Sequence, residues 1–368
     1  MQIAPLLTND SWSSLLGKLP EGIDLDELAR ETKAFRRRRG IPDAATLLRL
    51  ALMVGPGGLS LRGASGWAQL QGIANLTDPS LSNRLQGSAD FLREIVARLL
   101  ATKASGPNQR WPGRCLRLAD GTSLTAPGGM GTDWRLHAVY DLGRGGFSHL
   151  ELTDSHGAEA LDKGTAIAGE IRVADRNYGQ AKALRRFVES VCETGKADYV
   201  VRLRWSALSL RLQDGSPFNL IDHLNTLPVT DEISEVTVLI KDGSKHPALQ
   251  ARIVIARKPP EAAEIERVRL QRGSRRRQRI PDSRSLIAAG YMILATSLDA
   301  AEYPAAEVLA MYRLRWQVEL AFKRLKSILH LDRLPCTTTK GARTWIYAHL
   351  VLALLLDDFS QDVLESSP

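Results

Sequence analysis

Apolar residues recur along this chain with two periods, and each change of period marks a change of architecture. From residue 1 to about 105 they recur at i, i+3, i+4 and i+7. This predicts helices over Asp24 to Arg37, Ala44 to Met53 and Ser88 to Leu100. From about 106 to 205 the pattern gives a strand closing on Asp120, a hairpin around Gly143-Arg144-Gly145-Gly146 and a strand closing on Asp175. A helix from Gln180 to Thr194 and a strand from Tyr199 to Trp205 complete this stretch. From 206 to about 300 the runs are β-rich, Glu235 to Lys241 and Ala248 to Arg257, joined by Asp242-Gly243-Ser244-Lys245. Lys258-Pro259-Pro260 marks an exit from the sheet, and a strand from Tyr291 to Thr296 follows. Residues 301 to 368 return to helical spacing, and the apolar run Leu350 to Leu356 belongs to a core helix with its neighbours from Thr344.

The most informative helical segment is MYRLRWQVELAFKRLKSIL. At about 100° per residue, Tyr312, Arg315, Trp316, Glu319, Lys323 and Lys326 gather on one face. Leu314, Val318, Ala321 and Leu325 form a core-facing stripe on the other. One carboxylate among cations and aromatic rings suits a metal-binding acid flanked by phosphate-gripping side chains. It equally suits a solvated helix with an Arg315–Glu319 pair. Two further carboxylates decide between these. Leu116-Arg117-Leu118-Ala119-Asp120 is echoed by Ile171-Arg172-Val173-Ala174-Asp175. Period-two alternation puts Leu116, Leu118 and Asp120 on one side, and Ile171, Val173 and Asp175 likewise. Gly121-Thr122-Ser123 and Asn177-Tyr178-Gly179 then stop the two strands. Strand ends in α/β sheets are where catalytic groups are displayed. Either Asp alone would pass for a turn or capping residue.

Tyr312-(2)-Arg315-(3)-Glu319-(6)-Lys326 matches the Y-(2)-R-(3)-E-(6)-K signature of insertion-sequence DDE transposases of the IS-four group. Asp120 in LADGTSL and Asp175 in VADRNYG look like that family's first and second catalytic aspartates. The chain therefore resembles the family from about Leu116 to Lys326. The resemblance implies an α/β fold: a ribonuclease-H-like core, an N-terminal helical domain, and a mostly β insertion before the last catalytic helix. Residues 1–105 would be the helical domain that reads the transposon end, 106–205 the first part of the core, and 206–300 the β-rich insertion with its basic segment. Residues 301–368 would be the last part of the core and a C-terminal helix. Asp120, Asp175 and Glu319 become the catalytic, metal-binding triad. Tyr312, Arg315, Trp316 and Lys326 become DNA contacts, with Arg176 a further candidate.

The implied reaction is cutting and joining of DNA at the inverted-repeat ends of an insertion sequence, by cut-and-paste. Phosphodiester hydrolysis and transesterification need an activated oxygen nucleophile and a stabilised leaving oxygen, which two Mg²⁺ ions about 3.5–4 Å apart supply. Such hard cations, or Mn²⁺ in their place, call for carboxylates. Asp120 would bridge both ions, and Asp175 and Glu319 would complete one site each. Coordinated excision implies a homodimer on double-stranded DNA. Family members hold a flipped base against an aromatic ring while cutting through a hairpin. Phe218 is the only Phe, Tyr or Trp from Ser206 to Gly290, so Trp205, Phe218 and Tyr291 are the candidates. The alternatives are a nuclease or domesticated relative that does not rejoin DNA, and a DNA-binding relative without catalysis.

Charge supports a polyanionic partner: the net charge is +8 over 368 residues, with a pI near 9.5. The basic residues cluster at Arg36 to Arg39 beside Phe35, and between Arg267 and Arg279, where Arg272, Arg275, Arg276 and Arg277 crowd together. The second cluster reads either as a track for DNA phosphates or as a disordered basic loop. Cys115, Cys192 and Cys336 have neither metal-ligand nor disulfide spacing, which suits a reducing cytoplasm; the family resemblance implies a prokaryotic one, with nucleoid association. His137, near the hairpin, reads as structural. No signal-like N-terminus or apolar run of about 18 residues is present, which argues against secretion and membrane spanning.

Overall fold

The computed structural model describes residues 9–35, 39–102, 110–129, 131–191, 193, 195–230, 232–243, 246–331 and 334–356. The first elements are α1 (Asn9–Leu16), α2 (Leu25–Glu31), α3 (Ala44–Val54), α4 (Leu61–Leu70), α5 (Asp78–Gln86) and α6 (Ala89–Ala101). Then come β1 (Cys115–Leu124), β2 (Trp134–Asp141), β3 (Gly146–Asp154), β4 (Glu170–Ala174), α7 (Ala181–Glu189) and β5 (Asp198–Arg202). They are followed by β6 (Leu210–Arg211), α8 (Leu220–Thr226), β7 (Ser234–Ile240), β8 (Leu249–Arg257), α9 (Pro260–Arg276) and α10 (Ser283–Ala288). The last are β9 (Tyr291–Thr296), α11 (Ala305–Arg313), α12 (Trp316–Leu329) and α13 (Thr339–Leu355). The fold is mixed α/β and divides into two compact units. One comprises Met1–Gly106, Gly121–Gly157 and Glu319–Pro368, the other Pro107–Asp120 and Ala158–Val318.

The first unit is built around α13, which is buried at every position from Thr344 to Leu355. A helix apolar on all sides belongs inside a core, and here α3 and α6 pack against it. No helix among the described residues is long and apolar enough to cross a membrane. α6 contributes Phe91, Leu92, Ile95, Val96 and Leu99, all buried at helical spacing. Each fully buried Leu or Phe stabilises by roughly 1.5–3 kcal/mol. Thr344 locks the packing by donating from Oγ1 to the Leu85 carbonyl at 2.7 Å. The helices α3 and α6 lie within a residue of their expected bounds, but α2 stops at Glu31 instead of reaching Arg37. Lys33 enters the left-handed region at φ +60, and the Phe35 N–H donates to the Ala29 carbonyl, which closes the helix end. Arg36, Arg37 and Arg38 lie outside the described residues. The helices expected from the sequence do not include α4, which Gly63 and Gly66 interrupt, or α5, which has few apolar positions. Their starts are local: Ser60 accepts from the Gly63 N–H, and Pro79 sits in the first turn of α5. In the same unit β3, β2 and the far end of β1 lie in that order, with Gly145 at φ +67 in the β2–β3 turn.

In the second unit the strand order is β1-β4-β5-β9-β8-β7-β6. β1, β4 and β5 are parallel, and every later neighbour is antiparallel. β4 is buried along its whole length, as parallel strands covered on both faces are. The expected mostly β insertion is mixed instead: its strands continue the same sheet, while α8, α9 and α10 lie between them. The basic stretch read as a phosphate track or disordered loop is helical to Arg276. Pro260 opens α9, and Ala, Glu, Leu and Arg carry it forward as good helix formers. α7 likewise ends at Glu189 and not Thr194, where the Ser190 hydroxyl donates back to the Phe187 carbonyl; Cys192 and Thr194 lie outside the described residues. β5 stops at Arg202, short of Trp205.

Candidate active site

Within the second unit, β1 and β4 pair with Leu116 opposite Ile171, Leu118 opposite Val173 and Ala119 opposite Ala174. The next residues are Asp120 and Asp175. Paired strands run about 4.8 Å apart, so register alone brings the two aspartates to neighbouring positions at one end of the sheet. Asp175 leaves β4 in a turn, its Oδ1 accepting from the Asn177 N–H at 2.8 Å. Asp120 does not end its strand. Gly121, Thr122 and Ser123, expected to form a turn, remain in β1 as far as Leu124. Pairing with β4 stops at Ala119, but the other edge of β1 is neighboured by β2, and that support carries the strand on.

The repeated Arg in the two strand motifs has a structural role that the sequence left unassigned. Arg117 and Arg172 lie opposite each other in register, and both are buried. Like charges directly opposed are unfavourable; Glu170 resolves the conflict. Its Oε1 accepts from Arg172 Nε at 2.6 Å and its Oε2 from Arg117 Nη1 at 3.2 Å. Arg172 also donates to the carbonyls of Leu161 and Lys163 and lies over the Phe187 ring at 4.5 Å. This network fixes β1 and β4 immediately before the aspartates.

The signature segment is two helices and not one. α11 ends at Arg313, and Leu314 and Arg315 form a tight turn before α12. The Arg315 N–H donates to the Tyr312 carbonyl and the Gln317 N–H to that of Leu314. Such i to i+3 turns rotate the chain faster than an α-helix does, so the single polar face breaks up. Tyr312 is buried, Arg315 and Trp316 are half-buried and Glu319 is exposed. Val318, Ala321 and Leu325 are buried as expected, whereas Leu314 is only partly covered. Arg315 Nη1 lies 3.7 Å from Asp120 Oδ2, and its guanidinium is 5.9 Å from the centre of the Tyr312 ring. Burial raises the Tyr312 hydroxyl pKa; Arg315 and Arg202 oppose this and Asp175 adds to it. Asp120, Asp175, Tyr312 and Arg315 thus share one neighbourhood. Lys326, on the α12 portion in the first unit, donates from Nζ to the Ser123 carbonyl at 3.5 Å.

Beyond Asp175 opens a cavity of about 620 Å³ whose wall includes Arg176, Arg202, Arg204, Arg269, Arg277 and Glu266. Glu266 lies 3.5 Å from Arg176 and 3.9 Å from Arg202. Arg204 donates to Asn177 Oδ1 at 3.2 Å. Of the aromatic candidates, Trp205 and Tyr291 line this cavity. Trp205 donates from Nε1 to Ser285 Oγ at 3.1 Å, and Tyr291 donates to the Leu224 carbonyl. Phe218 packs instead against His223, with ring centres 5.4 Å apart. His137 is buried on β2, with Nε2 3.0 Å from Thr153 Oγ1. Glu266 escaped the sequence reading because it lies just before the arginine run. Its four-residue spacing from Leu270, within a run of helix formers, was the available signal.

Among the described residues no group of three or more His, Cys, Asp or Glu side chains is arranged to hold a metal ion. The structure brings two acids together through strand register and leaves Glu319 exposed on α12, four residues after Arg315. The paired donors are all carboxylate oxygens, and a cation already approaches one of them, so the pair fits a hard divalent ion. Residues 111–356 match the family model of the transposase DDE domain. InsL of Escherichia coli (strain K12), assigned as the transposase of insertion sequence element IS186A, is 42% identical over 364 residues, covering 98% of this chain and 97% of the relative. The transposase for insertion sequence element IS421 of Escherichia coli is 42% identical over 365 residues, with the same coverage. The transposase for IS231F of Bacillus thuringiensis subsp. israelensis is 25% identical, over 89% of this chain and 74% of its own length. The chain belongs to the DDE transposases of insertion sequences, divalent-metal-dependent enzymes that cleave and transfer DNA.

Proposed function

We propose that this chain excises and inserts an insertion sequence by cutting and joining DNA at its inverted-repeat ends, with Asp120, Asp175 and Glu319 as the catalytic triad. The observation that carries the reading is the parallel register of β1 and β4, which ends in Asp120 on one strand and Asp175 on the next. The three acids would hold two Mg²⁺ ions, which when bound activate the attacking oxygen and stabilise the departing 3′ oxygen. Tyr312, Arg315 and Lys326 grip phosphates around the scissile bond, Arg315 with a fork suited to a phosphate oxygen pair, while Trp316 stacks on a base or sugar and Arg176 adds a further DNA contact. Tyr312, braced by burial, stays a neutral hydrogen-bond donor beside two arginines.

The parallel strands β1, β4 and β5 support a ribonuclease-H-like core. The helices of residues 1–105 serve as the reader of the element's end. Residues 106–205 and 301–368 form the core, and 206–300 interrupt it. The enzyme works as a homodimer holding both ends, on nucleoid DNA in a prokaryotic cytoplasm. The test is incubation of purified protein with a labelled duplex carrying the element's own end, with and without Mg²⁺, beside Asp120→Ala, Asp175→Ala and Glu319→Ala. Metal-dependent nicking at the element boundary, lost in each variant while end binding persists, is the expected result. Cleavage retained by any one variant removes that residue from the triad.

A further inference from the structure

The cavity beyond Asp175 is lined by five arginines and two acids, Glu266 and Asp282. Arg176, the residue after Asp175, and Arg202, at the end of β5, both approach Oε1 of Glu266 on α9. Lys258 belongs to the same cluster: its pKa is lowered first by burial, then by Arg202 and Arg176, while Glu266 raises it. Two arginines therefore share one carboxylate with a lysine in electrostatic reach, and Arg204, Arg269 and Arg277 continue the basic wall. Half-buried cations this close repel one another more strongly than they would in water. The guanidiniums would turn away into solvent without a charge between them, and Glu266 is that charge. It is more buried than either arginine, so the shared partner is the fixed member of the trio. The net charge left over is positive, so the cluster retains the capacity to bind an anion.

We propose that Glu266 is a positioning residue, which preorganises Arg176 and Arg202 as a two-point clamp for a DNA backbone phosphate beside Asp175. The inference rests on the proposed transposase reading and adds the residue that holds its phosphate clamp in place. Glu266 does not touch the DNA in this assignment; it acts through the two arginines. Its pairing distances are longer than a close hydrogen-bonded ion pair, which leaves the guanidinium N–H groups available to turn toward a phosphate. Flexible arginines ordered in advance lose less rotamer freedom on binding.

A sign test separates this from simple electrostatics. Removing a negative charge from a DNA-binding surface should tighten binding if the carboxylate were only a competitor of phosphate. Full-length protein is titrated with a labelled duplex carrying the element's end, without divalent metal, over a range of KCl. The proteins are wild type, Glu266→Gln, Glu266→Asp, Arg176→Gln, Arg202→Gln and Glu266→Gln combined with Arg176→Gln. Each arginine variant should reduce the salt slope by about one. Glu266→Gln should weaken binding by roughly threefold to tenfold, about 0.7–1.4 kcal/mol, despite the gain in net positive charge. Glu266→Asp, which keeps the charge but shortens its reach, should weaken it too, and Glu266→Gln should add little in the Arg176→Gln background. Tighter binding by Glu266→Gln, or equal losses in both backgrounds, overturns the proposal. Unchanged salt slopes in both arginine variants overturn it as well and leave the transposase reading standing. That reading fails separately, if wild type neither binds the end nor nicks it once Mg²⁺ is added.

Discussion

Arg315 Nη1 sits 3.7 Å from Asp120 Oδ2, so the signature arginine already faces one of the two acids that follow the β1–β4 pairing. The contact is reached because the chain breaks its helix at Leu314 and Arg315, where the backbone bonds from Arg315 to Tyr312 and from Gln317 to Leu314 tighten the turn. The guanidinium lies near both a carboxylate and the Tyr312 ring, 5.9 Å from the ring centre. A planar guanidinium fork is a phosphate receptor that a lysine cannot copy. Arg315→Lys should therefore keep end binding within a few-fold of wild type while slowing cleavage at least tenfold, and Arg315→Ala should lose both. Gel shifts without metal and single-turnover cleavage with Mg²⁺ measure the two separately. Wild-type cleavage by Arg315→Lys would show that only the charge matters.

Lys326 makes a different contact. Its Nζ reaches the Ser123 carbonyl at 3.5 Å, a long bond from a partly exposed ammonium, and DNA can displace it at small cost. Lys326→Ala should weaken DNA binding and lower its salt slope by about one, with thermal stability unchanged. A full salt slope accompanied by a lower melting temperature would make Lys326 a prop for β1 instead.

The neighbouring positions of the two aspartates were legible because they depend on local rules, although only Asp175 follows the end of its strand. Alternation places Asp120 with Leu116 and Leu118, and the Asp175 segment has the same form and a true turn behind it. The strand Tyr291–Thr296 was legible to the residue for the same reason. What failed depends on partners distant in sequence. Nothing near Gly121-Thr122-Ser123 announces that a neighbouring strand will keep these turn-prone residues extended. Tyr312 looked like part of an exposed polar face because a helical wheel assumes an unbroken helix, and a two-residue turn rotates it into the core. The basic run after Arg267 looked unbalanced because Glu264 and Glu266, its counter-charges, precede it on the same helix.

Glu170 gives a stability prediction. It is fully buried between Arg117 and Arg172, and its Oε2 also accepts from the Ile167 N–H at 3.1 Å. Glu170→Gln keeps the shape but removes a charge that pairs with both opposed arginines in register. Breaking a buried ion network by deleting one partner costs about 3–5 kcal/mol. Urea unfolding should show a lower midpoint with an unchanged slope, the signature of lost stability without a change in exposed surface. A midpoint within about 0.5 kcal/mol of wild type would mean that the arginines find solvent or another partner.

Tyr140 ties stability to alkaline pH. It lies buried on β2, its ring edge-on to Phe147 with centres 5.6 Å apart. Its hydroxyl has no hydrogen-bond partner among the described residues. Burial first, with Asp141 adding, pushes its pKa up to about 12, against the pull of Arg324 and Arg144. An unfolded tyrosine releases its proton near pH 10. Between about pH 10 and pH 12 the unfolded chain therefore binds fewer protons than the folded one, and stability falls as pH rises. This group alone contributes up to about 2–3 kcal/mol of that loss. Tyr140→Phe should remove its share of the alkaline slope, and at pH 7 it should be neutral or slightly stabilising because it deletes an unsatisfied buried hydroxyl. Denaturant unfolding at pH 7, 9 and 11 measures both effects. Parallel losses in wild type and variant across that range would show that the Tyr140 hydroxyl reaches solvent in the folded protein and titrates there as an ordinary phenol.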